Sequence, residues 1–208
     1  ADRALGARHP MMLTAISYDP VIIRYDQILS DAECDHLIDL AMPTLARSHV
    51  LNRSTGGNDV SEIRTSEGAY FPRGHTEIIA TIERRIANTI LLPIDRAEPF
   101  QVMRYRVGGR YDAHHDFFDP ADPGSAVHLA AGGQRIATMI LYLNTPEAGG
   151  TTDFPDLGLS VRPERGSALY FEYSGQGRPD VRLRHGGMPV IQGEKWIATK
   201  WFRERVYP

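Results

Sequence analysis

From residue 99 onward the chain is written in short pieces. β-prone runs at residues 100–105, 138–143, 168–172, 181–183 and 196–202 alternate with turns carrying Gly108, Gly109, Gly149, Gly150, Gly186, Gly187 and Gly193. Runs this short bury their apolar faces only by pairing into sheets. Many short strands joined by glycine-rich turns call for a sandwich, a barrel or a jelly roll. The first half reads as α plus β. Residues 21–25 have strand character. Ser30 and Glu33 form an S-x-x-E capping box ahead of Cys34, Leu37, Ile38 and Ala41 at helical spacing, and Pro43 stops that run. Ile78, Ile79, Ile82, Ile86 and Ile90 mark a second helical stripe that ends before Pro93, and both stripes read as core packing.

The length of 208 residues suits one domain, residues 1–208, with a helical and β support over about 14–98 and a β-roll core over about 99–203. The net charge of -3 gives no prior for nucleic acid or an anionic membrane. No apolar run approaches the roughly 20 residues of a membrane span, and residues 1–13 lack the apolar stretch of a secretory signal. Cys34 is the only cysteine, which excludes an intrachain disulfide and fits a reducing, cytoplasmic setting. Residues 53–59 are polar and glycine-rich and read as a mobile loop. Residues 117–134, with Pro120, Pro123, Gly132 and Gly133, read as a lid.

His114 and Asp116 are two apart, so on a strand both point to one face. A third donor, His185, closes a two-histidine, one-carboxylate face that leaves open positions on a metal, the ligand set of non-haem Fe(II) oxygenases. Lys195 then stands as a cation for the far carboxylate of an acidic cosubstrate such as 2-oxoglutarate. Taken singly these signals are weak. An H-x-D also occurs in solvated turns, a lone histidine is commonly a hydrogen-bonded structural residue, and a lone lysine is commonly on the surface. A second match, His75 to Glu77, falls at a helix start, where residues two apart diverge by about 200°; it reads as a cap and a first-turn acid.

The setting supplies the specificity. The strings QVMRY (residues 101–105) and RIATMILYLN (135–144) flank the H-x-D and its loop. GGTTDF (149–154), PERG (163–166), HGGMPV (185–190) and GEKWIATKW (193–201) follow. This order resembles the catalytic domain of prolyl 4-hydroxylases, within the Fe(II)/2-oxoglutarate-dependent dioxygenases. The resemblance extends from about Val21 to Phe202, includes the helix start at Asp31 and the segment 63–66, and is nearest to the short single-domain bacterial type.

The resemblance implies a mostly β fold with supporting N-terminal helices (α+β) around a double-stranded β-helix, a jelly-roll, cupin-like core. It makes His114, Asp116 and His185 the iron ligands, and Lys195 the partner of the 2-oxoglutarate C5 carboxylate, with Tyr105 and Thr152 bonding the cosubstrate. It points to Arg64, Ser66, Glu98, Tyr111, Arg135 and Trp201 as the substrate groove. The implied reaction hydroxylates an unactivated C–H, C4 of a prolyl residue in a peptide or protein, using Fe(II), 2-oxoglutarate and O2, with ascorbate as reductant and succinate and CO2 released. A homodimer is expected by analogy with bacterial relatives. Two other readings stand beside this one: a hydroxylase of a free or carrier-bound amino acid, and a non-catalytic β-roll module or cupin-type metal isomerase. Thr151 replaces the family's usual glutamate, which is expected to alter the rim of the site. Arg203, beyond Trp201, puts the substrate register in question.

Overall fold

The computed structural model describes residues 11–51, 55, 58–60, 64–175 and 178–208. In chain order its strands are β1 (Met12–Tyr18), β2 (Val21–Asp26), β3 (Ala46–Arg47), β4 (His49–Leu51), β5 (Asn58–Val60), β6 (Glu67–Phe71), β7 (Phe100–Tyr105), β8 (Tyr111–His114) and β9 (Arg135–Tyr142). Then come β10 (Ala148–Gly149), β11 (Thr152–Phe154), β12 (Leu159–Val161), β13 (Ala168–Glu172), β14 (Ser174–Gly175), β15 (Arg178–Pro179), β16 (His185–Gly187), β17 (Val190–Gln192) and β18 (Lys195–Arg203). The helices are α1 (Asp31–Ala41), α2 (Glu77–Ile90) and α3 (Ser125–Ala130). An eight-stranded sheet runs β1-β2-β13-β9-β18-β7-β6-β3, and a four-stranded sheet runs β12-β11-β16-β8. This is the jelly-roll arrangement, with the N-terminal strands extending the larger sheet.

Strand periodicity sorts the side chains between two cores. Along β7, Phe100 and Val102 join Leu37, Ile79, Ile82 and Ile86 of α1 and α2, while Met103 and Tyr105 join Phe154, Phe171 and Tyr173 between the sheets. The same alternation along β18 sends Trp196, Ala198 and Phe202 to the helices and Ile197 to the sheet interior. Burying one such Leu or Ile side chain contributes about 1.5–3 kcal/mol. Each helix therefore holds the back of the larger sheet firmly and leaves its front free to carry polar groups. α1 starts where its cap demands: Ser30 Oγ accepts from Glu33 N, and Glu33 returns a bond to Ser30 N at 2.8 Å. Thr76 caps α2 in the same way, with its Oγ1 accepting from Ile79 N at 3.1 Å.

Several expectations are corrected. Residues 181–183 form a 3₁₀ turn capped by Asp180 rather than a strand. β8 ends at His114, so Asp116 lies beyond the strand and reaches the site from the turn that follows. The expected loop at 53–59 lies largely outside the described residues, and its last two positions belong to β5, which pairs with β4. Residues 117–134 contain α3 and are tied down: Gln134 bonds both the N–H and the C=O of Phe118 at 2.7 Å, and Arg203 donates to Gly133 O and His128 O. Phe117 to Pro120, Asp122, Ser125 and His128 of that segment line the site. Among the described residues no helix is long and apolar enough to cross a membrane.

Candidate active site

β8 and β16 pair so that His114 faces His185 directly, with ring centroids 4.6 Å apart. Gly186 permits this approach, because a Cβ there would meet the Tyr111 carbonyl oxygen at 2.9 Å. Each imidazole is fixed by a main-chain carbonyl: His114 Nδ1 lies 2.9 Å from Asp112 O, and His185 Nδ1 lies 3.1 Å from Leu183 O. A carbonyl only accepts, so Nδ1 carries the proton in both rings and each Nε2 presents a lone pair. These lone pairs point at Asp116, at 3.4 Å from Oδ1 for His114 and 3.6 Å from Oδ2 for His185. One ligand atom from each of the three residues lies within 4.8 Å of the others. Three acceptors thus converge with no proton between them, a donor set that fits a divalent metal.

Electrostatics agree. Burial pushes the His185 imidazole down to about 4, so it is neutral at pH 7. Burial alone would raise Asp116, but the charge that His185 and His114 carry once acid protonates them, together with Arg135, outweighs it and holds the carboxyl below its ordinary range. Thr138 Oγ1 donates to Asp116 Oδ2 at 2.8 Å, and Asp116 N donates to the Tyr173 hydroxyl at 3.1 Å. Asp116 is thus held at two points, its carboxylate by Thr138 and its main-chain N–H by Tyr173. Thr138 and Tyr173 escape sequence reading, since a lone hydroxyl carries no spacing signal.

A cavity of about 750 Å³ opens from these donors, well inside the range of small-molecule sites. Lys195 lines it at 2% exposure, paired across the strands with Tyr105. Among the described residues neither a hydrogen bond nor an ion pair is found at its Nζ, and burial lowers the ammonium to about 8 despite the pull of Asp153. An unneutralised buried cation is costly, and its remedy is an acid in the cavity. Thr152, also on the wall, accepts from Tyr142 Oη at 2.8 Å, which leaves its own O–H to donate into the cavity. Thr151 is not among the lining residues, so the departure from the family pattern leaves this cavity's wall unchanged.

Of the expected groove residues, Arg64, Glu98, Tyr111, Arg135 and Trp201 line the cavity and Ser66 does not. Ser66 is fully buried behind Arg64, donating to Ser48 Oγ at 2.9 Å. Glu98 accepts two bonds from Arg135, at 2.7 and 2.8 Å, and one from Arg203 at 2.9 Å. Arg203 is 1% exposed and serves as a clamp on the 117–134 wall. The Trp201 Nε1–H is buried and has no partner among the described residues.

A β-roll carrying a two-histidine, one-carboxylate face opposite a buried lysine defines a metal-dependent oxygenase that takes an oxo-acid cosubstrate. The family model described as the 2OG-Fe(II) oxygenase superfamily matches residues 100–203. Prolyl 4-hydroxylase 2 of Arabidopsis thaliana is 39% identical over 93% of this chain and 70% of that protein. The viral collagen prolyl hydroxylase of Paramecium Bursaria Chlorella virus-1, solved as a 2OG complex, superposes with a TM-score of 0.68 at 31% identity, covering 88% of this chain and 95% of the other. A Pseudomonas putida prolyl-4-hydroxylase, at 20% identity and a TM-score of 0.56 over 88% of this chain and 92% of that one, shares the fold. The chain belongs to the prolyl 4-hydroxylase family of the Fe(II)/2-oxoglutarate-dependent dioxygenases. Its cofactor is Fe(II), and its cosubstrates are 2-oxoglutarate and O2.

Proposed function

We propose that this protein hydroxylates C4 of prolyl residues in a peptide or protein. The observation that carries this reading is the shared cavity: three convergent metal donors on one wall and an unneutralised Lys195 within it. Relatives named as prolyl 4-hydroxylases support the choice of proline.

His114, Asp116 and His185 would hold the iron. With 2-oxoglutarate and O2, the bound metal supplies the oxidant for C–H hydroxylation, and succinate and CO2 leave. The protein supplies binding and orientation. Lys195 neutralises the distal carboxylate of the oxo-acid, and Thr152 donates to it. The bonds from Thr138 and to Tyr173 fix how Asp116 would face the metal. Arg135, locked by Glu98 and lying 4.1 Å from the Trp201 ring centroid, holds the groove wall where the peptide passes. Phe117 and Phe118 exclude water from one side.

The test is incubation of the purified protein with Fe(II), 2-oxoglutarate, ascorbate and proline-rich peptides, followed by fragment mass spectrometry. Gain of one oxygen on a prolyl ring is the expected result. Turnover of a free amino acid with no peptide oxidised sinks the reading.

A further inference from the structure

One row of side chains crosses the cavity wall through paired positions of four neighbouring strands: Ile140 on β9, Thr199 on β18, Gln101 on β7 and Tyr70 on β6. All four line the cavity. The row ends at its mouth, where Tyr70 is 63% exposed, unusual for a large aromatic side chain.

The hydrogen-bond polarity along the row has one solution. Arg64 only donates, and its Nη2 lies 3.0 Å from Gln101 Oε1, which fixes the amide. Gln101 Nε2 therefore donates to the Tyr70 hydroxyl oxygen, at 2.6 Å. The phenol oxygen is already an acceptor, so its own O–H must point elsewhere. Among the described residues no acceptor takes it. Gln101 is 1% exposed, so this orientation is set by a buried amide rather than by solvent. An outward donor with no matching acceptor at the mouth of the cavity fits a ligand that brings a carbonyl oxygen.

We propose that Tyr70 is a substrate-binding residue at the outer end of the groove. Its O–H, turned outward by Gln101, donates to a main-chain carbonyl of the bound peptide away from the reacting residue. Three strand spacings separate β9 from β6, roughly 14 Å. An extended polyproline-like chain rises about 3.1 Å per residue. Thr138 of β9 is bonded to Asp116, which puts the metal donors at the β9 end of the row, so the carbonyl in question lies about four residues from the hydroxylated one, and only longer peptides reach it. This inference rests on peptide hydroxylation as the function.

The experiment compares Tyr70→Phe with wild type on a proline-rich decapeptide and on a blocked tripeptide, with KM and kcat read separately. Loss of one hydrogen bond is expected to raise the decapeptide KM by roughly three- to tenfold. Its kcat, the tripeptide KM and the 2-oxoglutarate KM stay within about twofold. Gln101→Glu is the second variant. A carboxylate at that position accepts from both Arg64 and Tyr70, drawing the phenol proton inward, so this variant should raise the decapeptide KM while keeping the tyrosine. Combined with Tyr70→Phe it should add nothing further. An unchanged decapeptide KM in Tyr70→Phe, or equal rises for both peptides, overturns the assignment. If wild type oxidises neither peptide, the proposed function is what has failed, and this assignment falls with it.

Discussion

Two single side chains decide how the site works, and each yields a measurement. Thr138 supplies the one hydroxyl that holds Asp116 Oδ2. Outer-shell partners of metal ligands are worth roughly 10–100-fold in metal affinity. Thr138→Val, nearly isosteric, should weaken Co(II) binding by about tenfold, and Thr138→Ser should restore it; equal Co(II) titrations for all three proteins would refute the role. Lys195 is the other. Its folded value of about 8 lies below the ~10.4 of an exposed lysine. The unfolded chain therefore binds more protons between those two values, and the apoprotein grows more stable as pH rises through that window. Lys195→Met removes this penalty and should stabilise the apoprotein at pH 7 by on the order of 3 kcal/mol in urea denaturation, while abolishing 2-oxoglutarate binding. In wild type, 2-oxoglutarate affinity should fall above pH 8 by up to tenfold per unit as the ammonium is lost. A pH-independent affinity by calorimetry would contradict this.

The elements that sit behind the site carry their own vulnerabilities. On the helix side of β18, Lys200 is fully buried and forms an ion pair with Glu83 of α2. Glu83 also accepts from Gly74 N at 2.8 Å. Glu83→Gln leaves the lysine without its counter-charge and should cost about 3–5 kcal/mol. Glu83→Leu with Lys200→Met should recover that loss, because an apolar pair of similar size removes both desolvation terms. A single variant as stable as wild type in chemical denaturation would show that the pair is not holding α2 to the sheet. Much at this scale was legible in the sequence. The Ser30–Glu33 box and the isoleucine stripe of α2 announce themselves through period and cap, and β7 and β13 as short β-prone runs set off by turn residues. β1 was not legible. It lies at the sheet edge with Met12 and Leu13 both exposed, so burial imposes no alternation on it. The strand-like apolar–polar–apolar pattern of residues 181–183 is outweighed by the Asp180 cap. His114 and His185 were readable from motif order, whereas Ser66 could not be told from a wall residue, since burial behind Arg64 depends on long-range packing.

At the scale of the whole molecule, two sheets are held together across a cavity lined by charged and polar groups. Convergent acceptors at one place and a bare ammonium at another both oppose folding until ligands arrive. Ligand binding should therefore stabilise the entire chain. At 100-fold excess over its dissociation constant a single ligand contributes about 2.7 kcal/mol, which for a chain of this size means roughly 5–10 °C. Scanning calorimetry of chelator-treated protein against protein with Co(II) and 2-oxoglutarate should show that difference. A coincident melting temperature would mean that the donors do not bind metal in the folded state. The buried, unneutralised ammonium of Lys195 extends this beyond the test tube. A fold less secure without its oxo-acid should be more open to proteases when that metabolite is scarce, which would tie the lifetime of the enzyme to the abundance of the compound it consumes.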